Sequence, residues 1–161
     1  MVFWLLISSL VVIWDFSFVL LRPRSLTGDI SWIWEPYKLY VTIDKLYGDM
    51  EDSFVVGQAY MNIVETCINF SALFMHIRGD PSSVILALVG LSFTFSKTVL
   101  YFVLDLVCGF CQTNHNDAYH FYVLYILPNW LWIVFPLLGI RDLGSKLISL
   151  LQSKQPKRKA N

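Results

Sequence analysis

Gln58, Asn62, Glu65 and Asn69 fall at steps of four, three and four within an apolar stretch, a spacing that puts all of them on one helix face. A polar stripe in such surroundings must face protein or water. Interhelical hydrogen bonding accounts for the amides, whereas a carboxyl in mid-membrane marks a functional site by default. Glu65 is therefore a candidate catalytic acid and Asn62 a candidate substrate contact. Asn69-Phe70-Ser71 spells a glycosylation sequon, but its place inside an apolar run argues against modification.

A second stripe, Thr94, Lys97, Tyr101 and Asp105, repeats at three, four and four. Lys97 has two roles open to it, an ion pair with Glu65 or Asp15 or a direct contact with substrate, because a buried charge is kept only when paired. Asp105 stands near the end of its stretch and is expected to be solvated. Asp15 lies about two thirds along the first apolar run, where interfacial capping and a catalytic role are both open. Tyr122, Tyr125, Asn129, Trp132 and Pro136 form the third stripe, at three, four, three and four. Such aromatic stripes usually serve packing or interface belts, and Pro128 and Pro136 loosen the backbone. Tyr101, Tyr125, Asn129 and Trp132 are candidate substrate-binding residues.

Together these residue types could support acid-initiated carbocation chemistry, which needs a proton donor to carbon, a stabilised carbocation and a base, with water excluded. A desolvated carboxyl such as Glu65 or Asp15 supplies the proton. The face of Trp132 stabilises a cation without attacking it, and Asn129 holds a hydroxyl or orients the acid. Protonated amines would bind in the same place as mimics of the carbocation.

The elements that carry the stripes are membrane helices. A chain of 161 residues that is 56% hydrophobic, 16% aromatic and 15% charged has more apolar surface than one soluble domain can hide. Four runs are long enough to span: Val2 to Leu21, about Phe54 to Ile77, Val84 to about Cys108, and about His120 to Ile140. The first run has no basic n-region and no small-x-small cleavage site, so a retained helix is expected rather than a signal peptide. The turn His76 to Pro81 joins the second and third runs as a hairpin. Between the first two spans, Ser31 to Tyr47 mixes Trp32, Trp34, Tyr37 and Tyr40 with charges and is expected to lie along the membrane surface.

An all-α bundle of four transmembrane helices over residues 1–145, followed by a basic cytosolic tail over 146–161, is the expected organisation. Even topology puts both termini on one side, with seven cationic residues there and in the short turn against four in the first loop. Cys108 and Cys111, with His115 and His120 beyond, could ligate zinc. No βαβ context surrounds the CxxC, and an oxidised or idle pair without metal is expected. No P-loop, Rossmann glycine pattern or nucleophile elbow occurs, no cofactor is expected, and no basic field calls for nucleic acid.

With these runs in place, the chain resembles the EXPERA family, which holds emopamil-binding protein, the sterol Δ8–Δ7 isomerase, and the sigma-2 receptor. Tyr47-Gly48-Asp49 leading to Val64-Glu65-Thr66, then Val99-Leu100-Tyr101-Phe102, and Asn129-Trp130-Leu131-Trp132 followed by Pro136 carry the likeness. It implies the four-helix fold and pocket roles for Glu65, Asn129 and Trp132. Val11 stands where the isomerase has histidine and Ile68 where it has threonine, while Trp14-Asp15-Phe16 is similar to the acidic site of the sigma-2 receptor's first span. The function expected is a membrane isomerase or cyclase of a sterol-like or isoprenoid substrate. The alternatives are a non-catalytic binder of sterols or amphiphilic amines and a structural partner of another membrane protein. Implied partners are a lipid-like small molecule, cationic amphiphilic amines, the membrane and, as an option, a second copy in a homodimer. The ending Lys157-Arg158-Lys159-Ala160-Asn161 resembles a KxKxx retrieval signal and points to the endoplasmic reticulum.

Overall fold

The computed structural model describes residues 1–153, and the basic cluster from Lys154 onward, with its retrieval-like ending, lies outside the described residues. The chain opens with α1 (Val2–Leu20), then a 3-10 turn (Ser31–Trp34), α2 (Glu35–Ile43) and α3 (Lys45–Gly48). It continues with α4 (Ser53–Ile77), α5 (Ser83–Val107) and a π-helical stretch (His120–Ile126) that runs into α6 (Leu127–Ser153). No strand occurs among the described residues. Helix α1 packs on α4, α4 on α5 and α5 on α6.

Local chemistry sets the ends of these helices. Asp52 caps α4 by accepting the Val55 N–H at 2.8 Å. Gly79, at φ +73°, turns the chain after α4, and Asp80 accepts the Ser82 N–H at 2.8 Å ahead of α5. The π-helical turn ends at Ile126, and Leu127 directly precedes Pro128. A proline ring crowds the carbonyl of the residue four before it and donates no hydrogen bond, so a widened turn there relieves the clash. At the far end, α6 continues past Ile140 to Ser153, helped by the Lys146–Asp142 pair at 2.9 Å, so residue 145 falls within one continuous helix.

Among the described residues, three helices are long and apolar enough to cross a membrane: Val2–Leu20, Ser83–Val107 and His120–Ser153. Helix α4 has the length, at 25 residues, but its polar residues keep it out of that set. The polarity of the molecule is inverted, since Phe3, Leu10, Phe74, Val107 and Leu138 are exposed while Asn62, Glu65, Asn69 and Thr94 are buried. A soluble domain rarely shows so much contiguous apolar surface; a lipid-facing one does.

Two apolar clusters hold the bundle. One gathers Phe18, Tyr37, Ile43, Val55, Ala59 and Tyr125, and the other Leu5, Ala72, Leu73, Ala87 and Leu91. Between them every central helix carries polar residues: Asp15 on α1, Asn62 and Glu65 on α4, Thr94 and Lys97 on α5. Gly90 permits close contact of α5 with α4, because a Cβ there would run into Asn69. Asn69 in turn donates to Ser9 Oγ of α1 at 3.2 Å and is buried, which closes the sequon to modification.

Candidate functional site

A cavity of about 400 Å³ lies between α1, α2, α4, α5 and α6. Its walls are mainly apolar and aromatic, with Trp14, Tyr37, Tyr40, Tyr47 and Trp132 among them, and Asp15, Gln58, Asn62, Lys97, Thr98 and Asn129 add polar groups. Asp15 faces the cavity from α1. Its Oδ1 accepts the hydroxyls of Tyr37 at 2.6 Å and Tyr47 at 3.0 Å, and its Oδ2 accepts the Asn62 amide at 3.1 Å.

Asn62 joins the two sides of the layer. Its Nδ2 donates to Asp15, and its Oδ1 accepts from Lys97 Nζ. Both contacts require the same amide orientation. Lys97 Nζ also lies 3.0 Å from Glu65 Oε2, with 13% and 1% of the two side chains exposed. Charge, rather than an aligned hydrogen bond, pairs that oxygen. Thr94 donates to Glu65 Oε1 at 2.7 Å, and Gln58 donates to the Lys97 carbonyl at 3.0 Å. The result is a chain of contacts Asp15, Asn62, Lys97, Glu65, Thr94 crossing three helices. With all three ionisable groups charged, two carboxylates face one ammonium. Asp15 has no ion-pair partner among the described residues.

The roof of the cavity is the segment between α1 and α4. Trp34 Nε1 donates to the Trp14 carbonyl at 2.7 Å, Trp14 Nε1 to the Ile33 carbonyl at 3.1 Å, and Tyr37 stacks on Phe18 at 4.1 Å. The Arg22 guanidinium donates to the carbonyls of Tyr47 and Asp49, both at 2.9 Å. Burial and the neighbouring Asp15 carboxyl push the Tyr37 and Tyr47 hydroxyls well above the usual phenol range, so both stay protonated as donors. Asp44, at the joint of α2 and α3, accepts the Tyr101 hydroxyl and the Leu46 N–H, the latter at 3.1 Å. Burial pushes its carboxyl up to about 6.

Among the residues singled out by spacing, Asp15, Asn62, Lys97, Tyr101, Asn129 and Trp132 line the cavity. Asn129 donates to the Tyr125 carbonyl at 2.9 Å, and Trp132 meets Trp4 edge-on at 5.6 Å. Glu65 and Tyr125 do not line the cavity. Glu65 sits behind Lys97 in the α4–α5 seam, and Tyr125 is buried against Phe102 and Phe121. Asp105 is buried rather than solvated, because the loop after α5 folds back and supplies it with the Gln112 N–H at 3.0 Å and the Thr113 hydroxyl at 2.6 Å.

Tyr37 and Tyr47 are the site residues that the stripes do not reveal. The recurrence of Trp34, Tyr37 and Tyr40 at steps of three is the sequence signal that marks a common face on this segment. Cys108 and Cys111 are joined by a disulfide. Asp105 is the nearest further ligand type, and both its oxygens are engaged as described. Neither models of protein families nor curated proteins match this chain.

Proposed function

We propose that the chain is a four-span membrane bundle of the EXPERA type whose cavity takes a sterol-like or other isoprenoid ligand, or an amphiphile bearing a protonated amine. The carrying observation is the Asp15 carboxyl at the wall of an apolar, aromatic cavity, held by three donors and by no cation of its own among the described residues. A carboxylate so placed is the counter-ion of a bound cation, and aromatic faces add their own attraction. The net negative charge of the polar layer favours the same ligand. Helix α4 is the fourth span in this reading; its 25 residues suffice for a bilayer, and its polar face is turned to its neighbours.

A second reading, acid-initiated isomerisation or cyclisation, draws on Asn129 and Trp132 lining the same cavity as Asp15. Asp15, when protonated, gives its proton to an alkene carbon; Trp132 stabilises the carbocation; the Asp15 carboxylate then removes a proton from the neighbouring carbon. Glu65 contributes only by holding Lys97. The membrane is that of the endoplasmic reticulum in both readings, with a cytosolic tail.

Competition binding on the purified protein tests the proposal, using a hydrophobic tertiary amine and its uncharged carbon isostere. Wild type is expected to prefer the amine by on the order of tenfold or more, and Asp15→Asn to erase the preference while keeping the isostere. Equal affinities in wild type would overturn the counter-ion role. For the catalytic reading, deuterium from heavy water enters an unsaturated sterol-like substrate with wild type and not with Asp15→Asn.

A further inference from the structure

The loop after α5 is built around one covalent bond. Cys108 and Cys111 are joined, both residues are exposed, and between them Gly109 and Phe110 sit in the left-handed region at φ +72° and +58°. Phe110 is a bulky residue in a conformation that L side chains rarely adopt, so its surroundings must hold it there. Beyond the bond the chain turns back, Phe110 N–H reaching the Asp105 carbonyl at 2.7 Å and Thr113 becoming fully buried on the Asp105 carboxyl.

From there the loop, already held on α5 through Asp105, also ties to the roof of the cavity. Asn116 donates to the Ile43 carbonyl at 2.7 Å, a His115 ring nitrogen lies 2.7 Å from the Thr42 carbonyl, and Lys45 N–H reaches the Gln112 carbonyl at 3.4 Å. Those three anchor points stand on the end of α2 and the start of α3. The same short segment carries Tyr37 and Tyr47, which hold Asp15.

We propose that the Cys108–Cys111 disulfide is a redox clasp on the cavity roof. While it is closed, the loop pins α2 and α3 over the site. A dithiol reductant opens it by transferring two electrons and two protons to the bond, leaving two thiols and a disulfide on the reductant. The 109–110 turn then relaxes, the anchors at 42, 43 and 45 weaken, and the roof opens as a local unit while the helices stay packed. The clasp's effect on ligand rests on the cavity being the ligand site proposed above; its effect on the roof does not.

The test uses the full chain in lipid nanodiscs in three forms: oxidised, reduced with a dithiol and desalted, and Cys108→Ser with Cys111→Ser. Hydrogen exchange is expected to speed up in residues 36–47 and 108–117 on reduction and in the double variant, to leave α1 and α4 unchanged, and to return on reoxidation. A bound hydrophobic tertiary amine is expected to dissociate on the order of tenfold faster from the reduced form. Unchanged roof exchange on reduction overturns the clasp, and so does acceleration spread evenly over all helices. Faster roof exchange with unaltered amine dissociation overturns its action on the ligand. Faster roof exchange with no amine binding in any form upholds the clasp and removes the ligand reading instead.

Discussion

Glu65 and Lys97 illustrate how a single contact assigns a role. The carboxyl at mid-helix is placed beside Lys97 rather than on the cavity wall: it is buried, it pairs with Lys97 at 3.0 Å, and Lys97 and Asp15 line the cavity. Removing its charge leaves a buried ammonium with Asn62 as its closest contact and Asp15 as the next charge. Breaking such a pair typically costs about 3–5 kcal/mol. Glu65→Gln is therefore expected to lower the melting temperature strongly and to weaken amine binding, since the layer loses its net negative charge. Adding Lys97→Met is expected to restore both, because Asp15 again stands as the one uncompensated charge. Thermal melts and amine titration of the single and double variants check this; a Glu65→Gln protein that melts like wild type would show the pair to be unimportant.

At the scale of elements, the α2–α3 joint turns the segment between α1 and α4 into a roof. Asp44 caps α3 and takes the Tyr101 hydroxyl from α5, so one carboxyl links roof to bundle. Burial raises it from 3.8 to about 6. A raised acid favours the folded state most when protonated, so its contribution is complete below about pH 4 and is lost as pH rises through about 6. A shift of that size corresponds to about 3 kcal/mol. Asp44→Asn keeps the cap and the tyrosine contact but cannot titrate. Melts between pH 4 and 7 are expected to show wild type losing stability as pH rises while the variant stays level; parallel curves would return Asp44 to ordinary behaviour. Asp44 escapes a reading by periodicity because it stands at the extended break between α2 and α3, outside the helical repeat of Trp34, Tyr37 and Tyr40.

The whole molecule is an inside-out bundle whose polar layer lies between two apolar clusters, and its insertion in a membrane follows from that surface. In the four-span arrangement proposed above, the tail is cytosolic. Protease added to intact microsomes is expected to remove an epitope at the C-terminus and to spare the loop after α5. Protection of that epitope would reverse the topology.

The helices, their ends and their polar faces are legible in the sequence alone. Four apolar runs reappear as long helices whose boundaries agree within a residue or two, α6 excepted. Helical period and capping chemistry are local, so neighbouring residues suffice to specify them. Asn62 and Glu65 show where that reach ends. They stand three residues apart, some 60° around one helix by the 3.6-residue turn, and both belong to the same stripe. Only the packing of α4 between α1 and α5 turns Asn62 toward Asp15 and the cavity and Glu65 into the seam with Lys97 and Thr94. The roof tyrosines likewise meet Asp15 across 22 and 32 residues of chain, a pairing that no local pattern encodes and that the fold of the first loop over the bundle creates.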